Sequence, residues 1–560
     1  MRRNRLPVAG IFLALLLAWL VGYPLLMTLV DALRGPEGWT ASHVREFASR
    51  PDEWLALWRS LWISLASVGL AAAIGIPLAF LFERADFPGR RFLAAVVALP
   101  VALPPLVGVI AFLFLYGESG FVSRAVQSLL GLEAPPWRLA GPGAILLVHA
   151  YSMYVYFYLF TRAGLSRLDA ALLEAAASLG AGKARSLFRV TLPLLRPALA
   201  GAALLTFMTS LASFSAPYLF GGSFRVMTTQ IVASKLNGET GLSQVETVML
   251  AGLALLALGG MRWIDRSGLA SIAGVGVRGV APARRRLESS WARITAGILG
   301  WLLAAFLLLP HAVLLLVSFV PPFTWTAEPF PPVLELRNWM ALAQAEKLRP
   351  VVNSLWMAAV STIAAVALGL TAARMAVSRP VDGGEPRRPW LSSALEGLIA
   401  VPWAVPGTVF AIALATTFGV NQPWIGRFVL IGTPLILPLA YLVRSLPLTG
   451  RGSIAGLRAL DPALEEAAAS LGAGRWRRLG RVVLPLLRPA IAAGAGLAFI
   501  TALGDFVVSI VLYTFETRPI SIEILSSLRL QDLGMAAVYG VILMTASAAA
   551  FLLWGRGEAR

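Results

Sequence analysis

The chain has 560 residues, of which 58% are hydrophobic and only 14% are charged, with a net charge of +18 and no cysteine. A soluble domain would carry about 25% charged residues, and the lack of cysteine excludes disulfides, thiolate metal sites and cysteine nucleophiles. Apolar runs of about 20 residues predict membrane-spanning helices, whereas the short alternating segments of a spanning β-barrel do not occur.

Taken in chain order, the apolar runs predict an all-α polytopic membrane protein with twelve spanning helices. The first run follows the basic segment MRRNR; it is too long for a signal-peptide core, so we interpret it as a retained span. The predicted spans are residues 6–30, 59–82, 92–116, 141–161, 197–219, 245–264, 294–320, 351–373, 391–418, 428–443, 489–513 and 533–554.

Basic residues predict the orientation, because Lys and Arg concentrate in cytoplasmic segments. With the N-terminus inside, segments such as 162–196, 262–293 and 444–488 hold most of the 47 basic residues. An even number of spans then places both termini in the cytoplasm. This distribution also explains the positive net charge, so the sequence predicts no nucleic-acid partner.

One segment occurs twice at a constant spacing. EAAASLGAGKARSLFRVTLPLLRPA covers Glu174–Ala198, and EAAASLGAGRWRRLGRVVLPLLRPA covers Glu466–Ala490. The repeat predicts a first half at 1–264 and a second half at 294–560, joined by a Gly-, Ala- and Arg-rich cytoplasmic linker at 265–293. Each half holds six spans, so the two repeats are parallel.

Weaker traces of the same repeat lie inside the spans. SLWISLASVGLAAAIGIPLA from Ser60 resembles SLWMAAVSTIAAVALGLTAA from Ser354. ALPVALPPLVGV from Ala98 resembles AVPWAVPGTVFA from Ala400, which aligns two prolines in each half. Prolines inside spans three and nine predict kinks there.

Each copy of the repeated segment predicts a helix, a turn and a second helix, within 162–196 and 444–488. Asp169 and Asp461 are expected to cap the first helix, with Pro462 at its first position in the second copy. Gly180 and Gly472 are expected to take the left-handed conformation that ends it. An apolar stripe runs along each first helix. Its members are Leu168, Leu172, Ala175 and Leu179 in one copy, and Leu460, Leu464, Ala467 and Leu471 in the other.

The pattern E-A-A, three residues, G, nine residues, an aliphatic residue, one residue, L-P resembles the cytoplasmic coupling loop of binding-protein-dependent ABC importer permeases. The aliphatic position is Val190 or Val482, where the family more often has Ile. The resemblance implies a type I ABC importer permease fold and docking of each loop on an ATP-binding subunit. The implied coupling residues are Glu174, Ala175, Ala176, Gly180, Glu466, Ala467, Ala468 and Gly472. The alternative, a helix lying on lipid headgroups, would have basic and bulky faces rather than alanine and glutamate.

The chain has no phosphate-binding loop of the form GxxxxGK[ST], since Lys183 is followed by Ala184. The resemblance and this absence together imply that ATP binds a separate subunit, and the two loops imply two copies of it. We expect no cofactor, metal or catalytic residue in this chain. The resemblance further implies an extracytoplasmic solute-binding protein and a bacterial cytoplasmic (inner) membrane as partners.

Ionisable residues inside spans are costly and point to function. Asp505 lies deep in the predicted eleventh span and aligns with Ser213 in the first half. Two roles stay open for this pair of positions: lining a translocation path, or holding the halves together by hydrogen bonds.

Two other classes of protein were weighed. An ion-coupled twelve-helix secondary transporter would need several buried acids or histidines and leaves the duplicated loop unexplained. A membrane-embedded enzyme would need a catalytic cluster, which the sequence lacks. For the importer, the fused architecture resembles the ferric-iron permeases first and the thiamine permeases next; polyamines, phosphonates and oxyanions such as sulfate stay open as substrates.

Overall fold

The computed structural model describes residues 5–264, 284–286, 289–322, 324–325, 333–377 and 389–555. These residues are largely helical, which confirms the predicted all-α class. Most of the predicted linker, 265–293, lies outside the described residues.

The first half begins with helices that are long, apolar and broken at defined places. Its α-helices are α1 (Arg5–Leu17), α2 (Tyr23–Ala32), α3 (Ser42–Ser49), α4 (Pro51–Arg84), α5 (Arg90–Ala98), α6 (Pro105–Tyr116), α7 (Phe121–Leu130), α8 (Gly141–Leu165), α9 (Ala170–Ser178), α10 (Lys183–Ser186), α11 (Leu192–Leu211), α12 (Ser215–Phe220), α13 (Met227–Leu236) and α14 (Thr240–Ile264). A π-helix joins α1 to α2 and another joins α10 to α11, so each pair forms one continuous rod.

The second half repeats this order over its described residues. Its α-helices are α15 (Ser290–Val317), α16 (Arg337–Ala341), α17 (Ala345–Ala376), α18 (Pro389–Ala404), α19 (Gly407–Thr417), α20 (Ile436–Ala459), α21 (Pro462–Ser470), α22 (Arg475–Arg478), α23 (Leu484–Leu503), α24 (Val507–Leu512), α25 (Ile520–Arg529) and α26 (Leu533–Gly555). The four described strands have two residues each. β1 (Arg34–Gly35) pairs antiparallel with β2 (Gly38–Trp39), and β3 (Ala85–Asp86) pairs parallel with β4 (Arg285–Arg286).

Ten helices in the described residues are long and apolar enough to cross a membrane, and counting the bent pair α18–α19 as one span makes eleven. The predicted span at 428–443 is displaced, because the helix there, α20, runs from Ile436 to Ala459. It carries Arg444, Arg451 and Arg458, which lower its mean hydropathy below that of the other spans. Residue 444 was expected to begin a cytoplasmic loop and instead lies inside a helix.

Prolines break the third span of each half. Residues 92–116 form α5, a 3₁₀ turn over Leu99–Ala102 and α6, with Pro104 directly before α6. In the second half, α18 and α19 meet at 108° where Pro406 precedes α19. Proline lacks an N–H and clashes with the preceding turn, which explains both breaks and confirms the predicted kinks.

The two halves have the same three-helix centre, in which α4, α8 and α11 correspond to α17, α20 and α23. Glycines allow the closest crossing in each. A Cβ on Gly75 would lie 2.9 Å from the backbone nitrogen of Tyr158, and a Cβ on Gly369 would lie 2.9 Å from that of Gly450. These glycines align in the sequence repeat, so the repeat preserves a backbone contact as well as a pattern.

Matching serines also secure a later helix in each half. The backbone N–H of Met227 donates to Ser60 Oγ at 2.7 Å, and that of Ile520 donates to Ser354 Oγ at 2.8 Å. Each bond satisfies an unpaired N–H in the first turn of α13 or α25.

The first helices cross between halves. The rod α1–α2 packs against α18 and α19, while α15 packs against α5 and α6. Asp31 pairs with Arg427 at 2.8 Å, and Tyr151 donates to the carbonyl of Leu307 at 2.7 Å. Because each half completes the other, the space between them is enclosed by both.

Candidate functional site

Helices α9 and α21 are the first helices of the two repeated segments. Asp169 Oδ1 accepts the N–H of Ala171 at 3.0 Å, and Asp461 Oδ1 accepts the N–H of Ala463 at 3.0 Å. Pro462 is the first residue of α21. The predicted caps and the predicted proline position are therefore confirmed.

The turn after each of these helices is built on one glycine. Gly180 has φ +76° and Gly472 has φ +78°, the left-handed conformation expected of both. The N–H of Gly180 donates to Ala177 O at 2.9 Å, and that of Gly472 donates to Ala469 O at 2.9 Å. The same hydrogen bond closes the turn in both copies, so the two copies have the same local geometry.

Both helices lie on the surface, and none of their residues is buried. The implied coupling residues sort into two groups. Those exposed are Glu174, Ala175, Gly180, Glu466, Ala467 and Gly472, and those half-buried are Ala176 and Ala468. The leucines that follow the helices, Leu179 and Leu471, are 87% and 88% exposed. Exposed apolar side chains at the same place in two copies are typical of surfaces that a partner covers.

The apolar stripe does not face outward along its whole length. Leu168 is buried against Leu165 and Leu195, so the first position of the stripe belongs to the core of the chain. Leu172 and Leu464, one turn into each helix, are 42% and 47% exposed. At Leu168 the stripe therefore packs within the chain and is not open to a partner.

The second copy has an additional attachment to the spans. Arg374, near the end of α17, donates through Nη1 to Glu465 Oε1 at 2.6 Å and through Nη2 to Glu465 Oε2 at 3.0 Å. A bidentate pair fixes orientation as well as distance. Motion of α17 is therefore linked directly to α21.

A cavity of about 350 Å³ lies between the halves. The broken third spans line it from both sides, together with α8, α20 and the ends of α11 and α23. Ser213 and Asp505, the two residues singled out from the sequence, both line this cavity. The structure thus brings the two aligned positions to one space.

Asp505 accepts four hydrogen bonds. Its carboxylate accepts from Arg444 and, at 2.8 Å, from the N–H of Val508. Its carbonyl accepts from the hydroxyls of Ser509 at 2.6 Å and Ser521 at 2.8 Å. Asp505 lines the cavity, but among the described residues its hydrogen bonds all stay within the second half, so they do not hold the halves together. That it lines a translocation path stays a prediction.

The first half has neutral groups at the same place. His149 Nε2 and Ser213 Oγ are hydrogen-bonded at 2.9 Å, and His149 Nδ1 bonds Ser67 Oγ at 2.8 Å. His149 is 1% exposed. Its two ring nitrogens are both satisfied by hydroxyls, so the ring ties α4 and α8 to the end of α11.

Sequence reasoning missed Arg444, because the segment 444–488 was assigned to the cytoplasm. The signal that could have found it is the repeat itself: extended from Glu174 and Glu466, the alignment places Arg444 opposite Ser152, inside a span. Among the described residues, no group of three or more His, Asp or Glu side chains is placed to hold a metal ion.

A family model described as "Binding-protein-dependent transport system inner membrane component" matches the chain twice, over residues 71–267 and 365–556. The two matches together cover more than half of the chain. Each contains one copy of the repeated segment.

Three curated proteins show the range of similarity. "Probable ABC transporter permease protein y4fN" of Sinorhizobium fredii (strain NBRC 101917 / NGR234) is 31% identical over 89% of this chain and 86% of its own length. "Ferric transport system permease protein FbpB" of Actinobacillus pleuropneumoniae is 26% identical over 90% of this chain and 71% of its own length. "Molybdenum transport system permease protein ModB" of Escherichia coli (strain K12) is 33% identical over 38% of this chain and 94% of its own length.

Proposed function

Since the chain belongs to the family of binding-protein-dependent transport system inner membrane components, and is a fused, two-half permease of an ABC importer, we propose that α9 and α21 couple it to two ATP-binding subunits. The observation that carries this proposal is the pair of exposed helices with identical caps, turns and exposed leucines. Two equivalent surfaces fit two copies of one partner, which meet the permease along its pseudo-two-fold axis.

The surfaces of α9 and α21 offer a partner two features, small side chains and an exposed carboxylate. The alanines leave each helix thin, so a partner can approach its backbone closely. Glu174 and Glu466 stand exposed beside this approach and supply one carboxylate on each side. A basic groove on the ATP-binding subunit would complement them.

The cavity between the halves is the proposed translocation path. Its lining comes from both halves and from the breaks in the third spans, where helices change direction most easily. ATP-driven movement of the two coupling helices would tilt the halves and open this cavity alternately to the two sides.

We propose that the repeated loops and both termini lie on the cytoplasmic side, as the distribution of basic residues predicts. A solute-binding protein then docks at the opposite end of the bundle. That end includes the first turn of α4, since α4 runs from Pro51 to Arg84 and its last turn, at Glu83, pairs with Arg162 near the first coupling helix.

Ferric iron is the proposed substrate. The support is architectural: the similarity to the ferric permease spans 90% of this chain and therefore both halves, whereas that to the molybdenum permease spans 38%, about one half. Thiamine, polyamine, phosphonate and oxyanion importers are the alternatives that the experiment must separate.

The test is ATP hydrolysis in nanodiscs. The chain is co-purified with its ATP-binding subunit and given its binding protein loaded with ferric iron or with thiamine. Stimulation by the iron-loaded protein alone supports both the coupling and the substrate. A stable complex that neither loaded protein stimulates rejects iron and thiamine, and failure to form any complex rejects the proposed coupling through α9 and α21.

A further inference from the structure

Arg444 presents part of its guanidinium to the cavity between the halves. It lines the cavity beside Asp505, and 25% of its side-chain surface is exposed, against 2% for Asp505. Within the described part of the chain, its guanidinium donates to Asp505 alone, through Nη1. The N–H groups on Nε and Nη2 are therefore available to a ligand.

Two hydroxyls of the lining are already engaged as donors. Ser152 donates its hydroxyl to Val148 O at 2.8 Å, and Thr501 donates to Leu497 O at 2.7 Å, each on its own helix. Such back-bonded hydroxyls can accept a hydrogen bond but have no proton left to give. Arg444 is thus the strong donor on this wall.

A buried counter-ion and a glycine hold the arginine in place. The Asp505 side chain is 2% exposed, and its second carboxylate oxygen accepts the N–H of Val508. Gly407, at the break before α19, lies against the guanidinium: a Cβ there would be 2.9 Å from Arg444 Cζ and 3.0 Å from Nη1. The acid pairs with the arginine's charge inside the membrane, and the glycine leaves room for the guanidinium.

The first half lacks all three features. Opposite Arg444, Gly407 and Asp505 in the repeat stand Ser152, Pro105 and Ser213, and all six residues line the cavity. The second half has a cation and a glycine at the positions where the first half has a hydroxyl and a proline. Among the described lining residues, the Arg444–Asp505 pair therefore lies on one side of the cavity only.

We propose that Arg444 is the contact through which the cavity holds an anionic oxygen group of the transported substrate, with Asp505 and Gly407 as positioning residues. A guanidinium offers a planar pair of donors that matches carboxylate, sulfate or phosphate-like oxygens. The neighbouring Asp505 offsets part of the charge, which keeps binding weak enough for release. This inference rests on the proposed translocation path.

The absence of cysteine allows a direct test on the complete complex with its ATP-binding subunit in nanodiscs. Thr501→Cys, on the cavity lining, is labelled with anionic sulfonatoethyl and cationic trimethylammonioethyl methanethiosulfonate. The anion-to-cation rate ratio is compared between the parent chain and Arg444→Gln/Asp505→Asn. This double variant leaves the net charge unchanged, and the Gln amide can still donate to the Asn carbonyl. It therefore avoids the misfolding that an unpaired buried acid could cause.

We expect the anion-to-cation labelling ratio to fall by roughly threefold to tenfold in the double variant, because a cation that faces the cavity is lost. Ser128→Cys, exposed on α7 and away from the cavity, corrects for reagent reactivity and should show no change. Equal ratios at Thr501→Cys in the two backgrounds would overturn the proposal, since the pair would then act as a neutral unit.

Protection from the anionic reagent identifies the source of the oxygen group. Slower labelling in sulfate or molybdate than in chloride of equal ionic strength assigns a free oxyanion. Slower labelling in ferric citrate but not in sodium citrate assigns an anionic ferric complex. Protection by none of these overturns the site. The coupling proposal is judged separately by ATP hydrolysis in the same nanodiscs, so a failure of one is distinguishable from a failure of the other.

Discussion

Arg374 and Glu465 join α17 to α21 by two parallel hydrogen bonds, of 2.6 and 3.0 Å. At the equivalent positions of the first half, the repeat places Phe80 and Leu173. Helices α9 and α21 thus present similar surfaces to the outside but are attached differently to the rest of the chain. The second is tied by charge, and the first by the apolar cluster around Leu168.

Glu465→Gln should lower transport several-fold without unfolding the protein. The pair is about one-third exposed on both sides, and such pairs contribute roughly 0.2–1 kcal/mol to stability; its larger effect is on the link between α17 and α21. The measurement is substrate transported per ATP hydrolysed. The exchanged pair Arg374→Glu/Glu465→Arg should regain most of the loss, and no recovery would mean that Glu465 acts through the partner instead.

Reversing both exposed glutamates, Glu174→Arg with Glu466→Arg, should abolish transport. The residues are on the surface, so the protein should remain folded in the membrane while like charges oppose the partner. Co-purification with the ATP-binding subunit and uptake are the measurements. Glu37→Arg, an exposed reversal at a site away from α9 and α21, is the control for co-purification; unchanged uptake in the double reversal would remove the coupling assignment.

Gly75→Ala and Gly369→Ala should each destabilise one half by about 1–3 kcal/mol, because the added methyl meets backbone atoms that cannot move aside. Gly69→Ala is the matched control on α4, where a Cβ meets no atom within 4 Å. It should be neutral or raise stability by up to about 1 kcal/mol through helix propensity. Thermal unfolding in detergent compares the three, and equal midpoints for all of them would refute the close-crossing argument.

Asp505→Ala should cost about 3–5 kcal/mol of stability, because it leaves the cation of Arg444 and the N–H of Val508 without an acceptor. Asp505→Asn keeps the acceptor for Val508 and should be milder, lowering transport while the amount of protein in the membrane stays the same. Unfolding midpoints and membrane abundance decide the matter. A loss of abundance in Asp505→Asn equal to that of Asp505→Ala would assign Asp505 a structural role alone.

Local features could be predicted because they depend on nearby residues. The caps at Asp169 and Asp461 and the left-handed Gly180 and Gly472 each need one residue type at one position of a turn. The position of α20 could not be predicted in the same way. Three arginines along that helix lower its hydropathy, so the predicted span ended at residue 443, directly before the first of them, Arg444.

The amino-acid sequence by itself determined the membrane class, the two-half repeat, the kinks and the form of the two coupling helices, since composition, period and short-range hydrogen bonds carry that information. Only the tertiary structure decided that the first helix of each half packs on the other half and that Asp505 has a charged partner. It also decided that this partner faces a cavity. Packing between helices distant in the chain sets whether a charge inside the membrane is buried, paired or open to a ligand, and no local pattern specifies that outcome.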